Sequence, residues 1–386
     1  MLFVRLLFKN AFRHRLRTGL TMLGLVVAIT AYGLLNTVID TWYANAEAAS
    51  STRLITRSAI AMTHPLPMSH AQRIREVEGV RSLTWISWFG GIYKERREPF
   101  AKFAIDADSY FQLFPEYQLP AEDKAAFQHD RQGAIIGPKL AQAYGLKVGD
   151  VMPIRGDVYP GNWTFTVRGI YRPRDKKTDD TLMLVHWQLL SEVMRQHLND
   201  DLAERAGLFV IGIDKPEDAA AVSHRIDTLF RNSHAQTKTE TEKSYQLGIV
   251  AMSRHVLIAI RLVSFALILI IMAVMANTMM LASHERLREY ATLKALGFSP
   301  GFIVKLLLGE SVTIAILGGL LGMALTYPAS ATFVSSVGSL VDGFAVPTTT
   351  TLSQVGLIAL VALSAAAWPA WKMSRLTIAS GLQKAC

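Results

Sequence analysis

Gly297-Phe-Ser299-Pro-Gly301 has the G-x-S-x-G spacing of a nucleophile elbow, in which a strand delivers a serine to a sharp turn and a helix leaves it. The residues before it point elsewhere. Leu287, Tyr290, Ala291, Lys294 and Ala295 recur at helical spacing, so a helix over 285–296 is expected to precede the turn. Gly297 then suits the left-handed position after a helix, Ser299 an N-cap and Pro300 the first residue of the next helix. Capping accounts for all three residues, and hydrolase chemistry is not expected there. His64 and His70 stand six apart in a Pro-containing stretch without a supporting Cys or acidic cluster, looser than zinc-ligand spacing, and predict a surface loop. Trp85, Trp88 and Phe89 predict core packing of a strand rather than a substrate surface. Glu310 is an acid a turn or two inside a long apolar run; a functional role and snorkelling to the interface are both open to it. No Lys follows a Gly anywhere, so the phosphate-binding loop G-x-x-x-x-G-K-[ST] is absent and ATP hydrolysis by that route is excluded. No catalytic, cofactor-binding or metal-binding residue is expected in this chain, and a single cysteine, Cys386, excludes a disulfide framework.

The elements that carry these residues follow from composition. Of 386 residues 51% are hydrophobic and 18% charged, against about 25% charged in ordinary soluble domains. Four mostly apolar runs, 18–39, 262–281, 311–333 and 352–371, account for the deficit. Each is long enough to cross a ~30 Å hydrocarbon core, which excludes a purely soluble protein. No A-x-A-like site follows the first run, so it is expected to be retained as a span. The net charge of +9 is concentrated in short pieces. Residues 1–17 carry Arg5, Lys9, Arg13, Arg15 and Arg17 with no acid, while 40–254 hold 27 basic and 27 acidic residues. Residues 283–305 carry Arg286, Arg288, Lys294 and Lys305 against Glu285 and Glu289. Lys and Arg near span ends resist translocation, so both termini and 283–305 are expected in the cytoplasm and 40–255 outside. The basic pI of 9.6 thus reports topology and not nucleic-acid binding.

The expected fold is a membrane protein with four transmembrane α-helices and a large α+β extracytoplasmic domain inserted between helices 1 and 2. Its parts are an amphipathic cytoplasmic lead-in helix (1–17), spans at 18–39, 256–282, 306–333 and 352–371, the outer domain (40–255), a cytoplasmic loop (283–305), a short outer loop (334–351) and a cytoplasmic tail (372–386). Trp42 and Tyr43 suit an outer interfacial pair. Within the outer domain 82–89 and 163–171 predict strands, 138–144, 187–198 and 217–232 predict helices, and 145–150 a turn. Residues 240–255 predict a helix running unbroken into the second span, with Gly248 its weak point. Gly318 and Gly322 form a GxxxG that lets helix backbones approach closely.

Three local stretches carry a resemblance. Residues 10–24 form an arginine-rich approach to the first span. Residues 285–299 resemble an R-x-R-E-I-G-x-L-K-A-x-G-x-S pattern, departing at Tyr290 and Ala291. Residues 369–379 leave the last span, with Thr377 and Ile378 where an acidic or Pro-containing pair is common. Together with the architecture, and with 133–150 resembling a periplasmic core domain, the chain resembles permease subunits of ABC transporters in the MacB and FtsX superfamily. The resemblance implies a separate ABC ATPase subunit that binds ATP–Mg, a second permease (identical or homologous), and in some complexes a periplasmic membrane-fusion protein. It implies a bacterial inner-membrane location. It makes 283–305 a coupling helix docking on the ATPase through Arg286, Leu287, Arg288, Glu289, Tyr290, Leu293, Lys294, Gly297 and Ser299. The expected function is the permease of an exporter or mechanotransmission complex acting on a periplasmic or outer-leaflet substrate, with lipoprotein, peptide, drug and heme all open. The alternative is a non-transporting signalling permease that activates an external partner such as a cell-wall hydrolase. A membrane-anchored extracytoplasmic enzyme would need a catalytic constellation that the sequence lacks. Accessibility labelling of single cysteines should find position 176 outside and position 288 inside; cytoplasmic labelling at 176 would sink this topology.

Overall fold

A computed structural model describes residues 13–47, 49–94, 100–175, 178–197, 203–337 and 346–374. Most of the expected lead-in helix, the centre of the short outer loop and nearly all of the tail lie outside the described residues. The chain forms two compact units, one of residues 1–41, 253–333 and 344–386, the other of 42–252 and 334–343.

The second unit is built on nine strands in the order β13-β1-β12-β3-β4-β10-β6-β8-β7. These are β1 Arg53–Ser58, β3 Ser82–Trp88, β4 Lys102–Ile105, β6 Gly133–Ile136, β7 Val151–Gly156, β8 Gly161–Ile170, β10 Met183–His186, β12 Leu208–Gly212 and β13 Thr237–Thr241, with β2 Leu66–Pro67, β5 Tyr117–Gln118, β9 Arg172–Pro173 and β11 Arg205–Ala206 pairing in two small side sheets. Among the described residues only the β4/β10 and β6/β8 pairs are parallel. Alternation sets the faces: in β8, Trp163, Phe165 and Val167 turn into one core while Thr164 points to solvent. Helices α2 Ser69–Arg75, α3 Tyr110–Leu113, α4 Ala121–His129, α5 Pro138–Tyr144, α6 Trp187–His197 and α7 Ala219–Leu229 cover the sheet. Pro138 opens α5 and Gly145, at φ +66°, closes it, so sequence punctuation and structure agree there.

Three expectations in this unit are corrected. Trp88 is 51% exposed and meets Phe103 edge-to-face, while Phe89 is buried; alternation places the two on opposite sides. His70 sits buried on α2 rather than in a surface loop, stacked 4.0 Å from Phe230, its Nε2 paired with the Ala235 carbonyl at 2.9 Å. Burial is tolerated because the polar atom has a partner. The helix expected to run unbroken into the second span is two helices, α8 Glu242–Met252 and α9 Arg254–Glu285, parted at Ser253 (φ −89°, ψ 12°). Serine is a weaker helix-interior residue than the Ala251, Met252 and Arg254 beside it.

Among the described residues the first unit holds four helices long and apolar enough to cross a membrane: α1 Arg15–Glu47, α9, α11 Pro300–Val337 and α12 Thr348–Ser374. Leu25, Ile29, Met275, Ile314, Ala315 and Val361 fill their common core. Gly318 and Gly322 face α1: a Cβ on Gly322 would lie 2.9 Å from both Ile29 Cβ and the Val26 carbonyl oxygen. Thr30 Oγ1 donates to the Gly322 carbonyl at 3.0 Å across this contact. Leu20, Leu262 and Phe265 face outward, as lipid contact requires.

His186 is buried like His70, with Nε2 2.6 Å from the Phe127 carbonyl. Burial lowers both imidazoles below 6.5, opposed by these carbonyl bonds, with Arg73 beside His70 and Asp130, Asp108 and Arg131 around His186. Below the unfolded value the unfolded chain binds more protons. Their contribution is therefore complete above about 6.5 and is lost as pH falls toward the lower folded values. His70→Gln with His186→Gln should flatten the loss of thermal stability between about pH 7 and pH 5. The same pH slope in the variant, read by tryptophan fluorescence of the detergent-solubilised chain, would contradict this account.

Candidate functional site

The stretch between α9 and α11 is built around one break and one turn. Helix α9 ends at Glu285, and Arg286 (φ −101°, ψ 15°) separates it from a short helix, α10 Leu287–Ala295. Gly297 follows at φ +93°, a conformation that glycine adopts freely, and Pro300 starts α11. A helix rather than a strand precedes Ser299, so the nucleophile-elbow geometry is not formed and the capping reading fits.

Arg286 turns inward at the break. Its Nη1 donates to Glu310 Oε2 at 2.8 Å, and the two side chains are only 4% and 5% exposed. Glu310 therefore neither snorkels nor faces an open path: it joins α11 to the root of α10. Tyr290 is buried one turn along α10, its hydroxyl pushed up to about 12 chiefly by burial. Ile303, Leu306, Leu307 and Ala370 pack with it, and Leu287 and Leu293 close the edge of this cluster.

This overturns one expectation about the face of α10. Leu287, Tyr290, Ala291 and Lys294 form the face expected to enter a groove on the ATPase, yet Tyr290 and Ala291 are buried in the chain's own packing and Leu287 lies against it. An apolar stripe on a short helix is covered first by the helices it is tethered to. The side left open carries Arg288, Glu289 and Thr292, followed by Leu296 (71% exposed) and Phe298 (44%). Lys294 is half-buried, and Gly297 and Ser299 are exposed in the turn.

Outer ion pairs add to this site. Arg13 meets Glu289 at 2.5 Å, and Arg17 and His14 reach Glu285 at 2.8 and 3.4 Å. Such exposed pairs are screened by water and contribute little to stability. The charge runs at 1–17 and 283–305 were visible in the sequence; that they pair with each other was not. Removing one partner of the buried pair strands the other. Arg286→Met or Glu310→Leu alone should cost about 3–5 kcal/mol, and the double replacement should recover most of that. Thermal unfolding in detergent reads this directly, and equal losses in single and double variants would contradict it.

Two family models match the chain: a MacB-like periplasmic core domain over residues 18–229 and an FtsX-like permease C-terminal region over 261–378. An uncharacterized ABC transporter permease of Methanocaldococcus jannaschii is 21% identical over 342 residues, covering 82% of this chain and 81% of that protein. The extracellular domain of the ABC-type transporter YknZ from Gram-positive bacteria aligns with a TM-score of 0.36 at 11% identity, over 49% of this chain and 100% of that one. The periplasmic region of MacB from Actinobacillus actinomycetemcomitans aligns at 0.37 and 12% identity, over 51% of this chain and 92% of that one. The first family model spans more than half of the sequence and the second takes up most of the remainder, so the chain belongs to the FtsX/MacB-like family of ABC transporter permeases.

Proposed function

We propose that the chain is the membrane-spanning subunit of an ABC exporter or mechanotransmission complex in a bacterial inner membrane. A separate ATPase subunit binds ATP–Mg and drives it, and a second permease completes the complex. Both termini and the 283–305 loop lie in the cytoplasm and the sheet-containing unit lies outside, acting on a periplasmic or outer-leaflet substrate. The observation that carries this reading is α10, a nine-residue helix between two candidate spans, fastened to α11 through the buried Arg286–Glu310 pair. A helix so fastened hands a push on its open side to the membrane helices. The absence of any Gly-Lys pair supports placing hydrolysis in a partner.

One observation favours force transmission over passage through the bundle. Its interior is filled by Leu25, Ile29, Met275, Ile314 and Val361. The same observation suits a signalling permease that activates an external enzyme.

The open side of α10 and its turn is the ATPase dock in this reading. Leu296→Asp with Phe298→Asp places charges in an apolar contact and should lower ATPase co-purification at least tenfold, leaving permease in the membrane fraction. Leu287→Asp should instead lower the amount of permease itself, since Leu287 packs inward. Unchanged ATPase recovery from the Leu296/Phe298 double variant would remove this surface from the binding role.

A further inference from the structure

The chain enters the sheet ahead of β1 and leaves it behind β13, and a single buried guanidinium holds both passages. Arg53, the first residue of β1, donates from Nε to Glu242 Oε2 at 2.8 Å and from Nη2 to Glu242 Oε1 at 3.2 Å. Its Nη1 donates to Glu116 Oε2 at 3.0 Å and to the Leu113 carbonyl at 2.9 Å, and Nη2 lies 2.7 Å from Glu116 Oε1. Four hydrogen bonds and the further ion-pair contact with Glu116 thus surround the guanidinium with oxygens. Its face rests on Phe114, 4.4 Å from the ring centroid. Glu242, the first residue of α8, also accepts from the Ser50 N–H at 2.8 Å, so one carboxylate grips the segment ahead of β1 as well. Burial opposes the charge on Arg53, but the hydrogen bonds and charges of Glu116 and Glu242 outweigh it and hold the group above the ordinary arginine range.

The backbone ladder stops where this contact begins. Leu54 pairs with Thr241, the last residue of β13, and beyond it the Arg53–Glu242 bonds continue the connection into the first turn of α8. The three charged residues also line a cavity of about 1130 Å³, so there is open space beside the joint for its parts to move into once the bonds are released.

We propose that Arg53, Glu116 and Glu242 form a clasp that makes the start of β1 and the root of α8 one mechanical body, so that displacement arriving along α8 is delivered to β1 in the sheet interior as well as to β13 at its edge. These are positioning residues, and the proposal rests on the reading that ATP hydrolysis in a partner moves this chain. Bidentate pairing with two carboxylates needs the planar fork of arginine; lysine, a point donor, cannot replace it.

The test is hydrogen exchange on the full permease–ATPase complex in nanodiscs, without nucleotide and with ATP plus vanadate. Glu242→Gln, Arg53→Lys and the neighbouring control Lys243→Gln are compared with the unaltered chain. Without nucleotide, amides at 243–252 should exchange at least tenfold faster in the two clasp variants, with 208–212 in β12 still protected and Lys243→Gln unchanged. With ATP and vanadate, the unaltered complex should change its exchange at 53–58; the clasp variants should lose that response while keeping ATP turnover. Unchanged protection at 243–252, protection lost equally at 208–212, or a response at 53–58 that survives in the variants would each overturn the clasp. An unaltered complex with no nucleotide response anywhere in 42–252 would instead overturn the functional reading, and exchange at 243–252 without nucleotide would still decide whether the joint exists.

Discussion

A charge removed from water has to be given a counter-charge in the right place, and the Arg286–Glu310 pair is where this chain depends on that rule most. Each partner alone would be an uncompensated buried ion costing several kcal/mol. Together they fix three pieces of chain: the end of α9, the root of α10 and the third turn of α11. Helix α10 has nine residues, too few to persist in water on its own propensity. It is held by this pair at one end and by Tyr290 among Ile303, Leu306 and Leu307 on its inner side. The open edge at Leu296 and Phe298 has a defined position only because that inner side is anchored.

Much of the architecture could be read from the sequence because its causes are local. Apolar runs of span length announce the four long helices, and Pro138 with Gly145 brackets α5. Gly297 before Ser299 and Pro300 marks the turn into α11. What stayed hidden is pairing between distant positions. Periodicity shows that Leu287, Tyr290 and Ala291 share a face, but it does not say what covers that face, and the chain's own third long helix does. Glu310 looked isolated because its partner lies 24 residues upstream across a helix break. Arg53, Glu116 and Glu242 are separated by 63 or more residues and carry no shared spacing that a sequence could display. His70 belongs with these: a Pro-containing neighbourhood suggests a loop, while the ring that buries it, Phe230, arrives from the far end of α7.

The two buried arginines solve the same problem differently. Arg53 lies in the α+β unit between two carboxylates, leaving its trio with a formal charge of −1, and makes four hydrogen bonds to oxygens. Arg286 meets the acid of a long apolar helix one to one, the balance that a low-dielectric surrounding favours.

The glycine pair of α11 bears on how copies of such a chain can assemble. Gly318 and Gly322 are pressed against Leu25 and Ile29 of α1, closely enough that Thr30 reaches a backbone carbonyl across the gap. That smooth strip is therefore already occupied within the protomer and is not free to zip two protomers together. The outward side of α9 is different in kind, carrying large side chains such as Leu262, Phe265 and Ile270. Helices meeting through large side chains stand farther apart and slide more readily than helices in backbone contact. The contact of α11 with α1 is thus the close seam of this unit, where even one added methyl group would have to displace backbone.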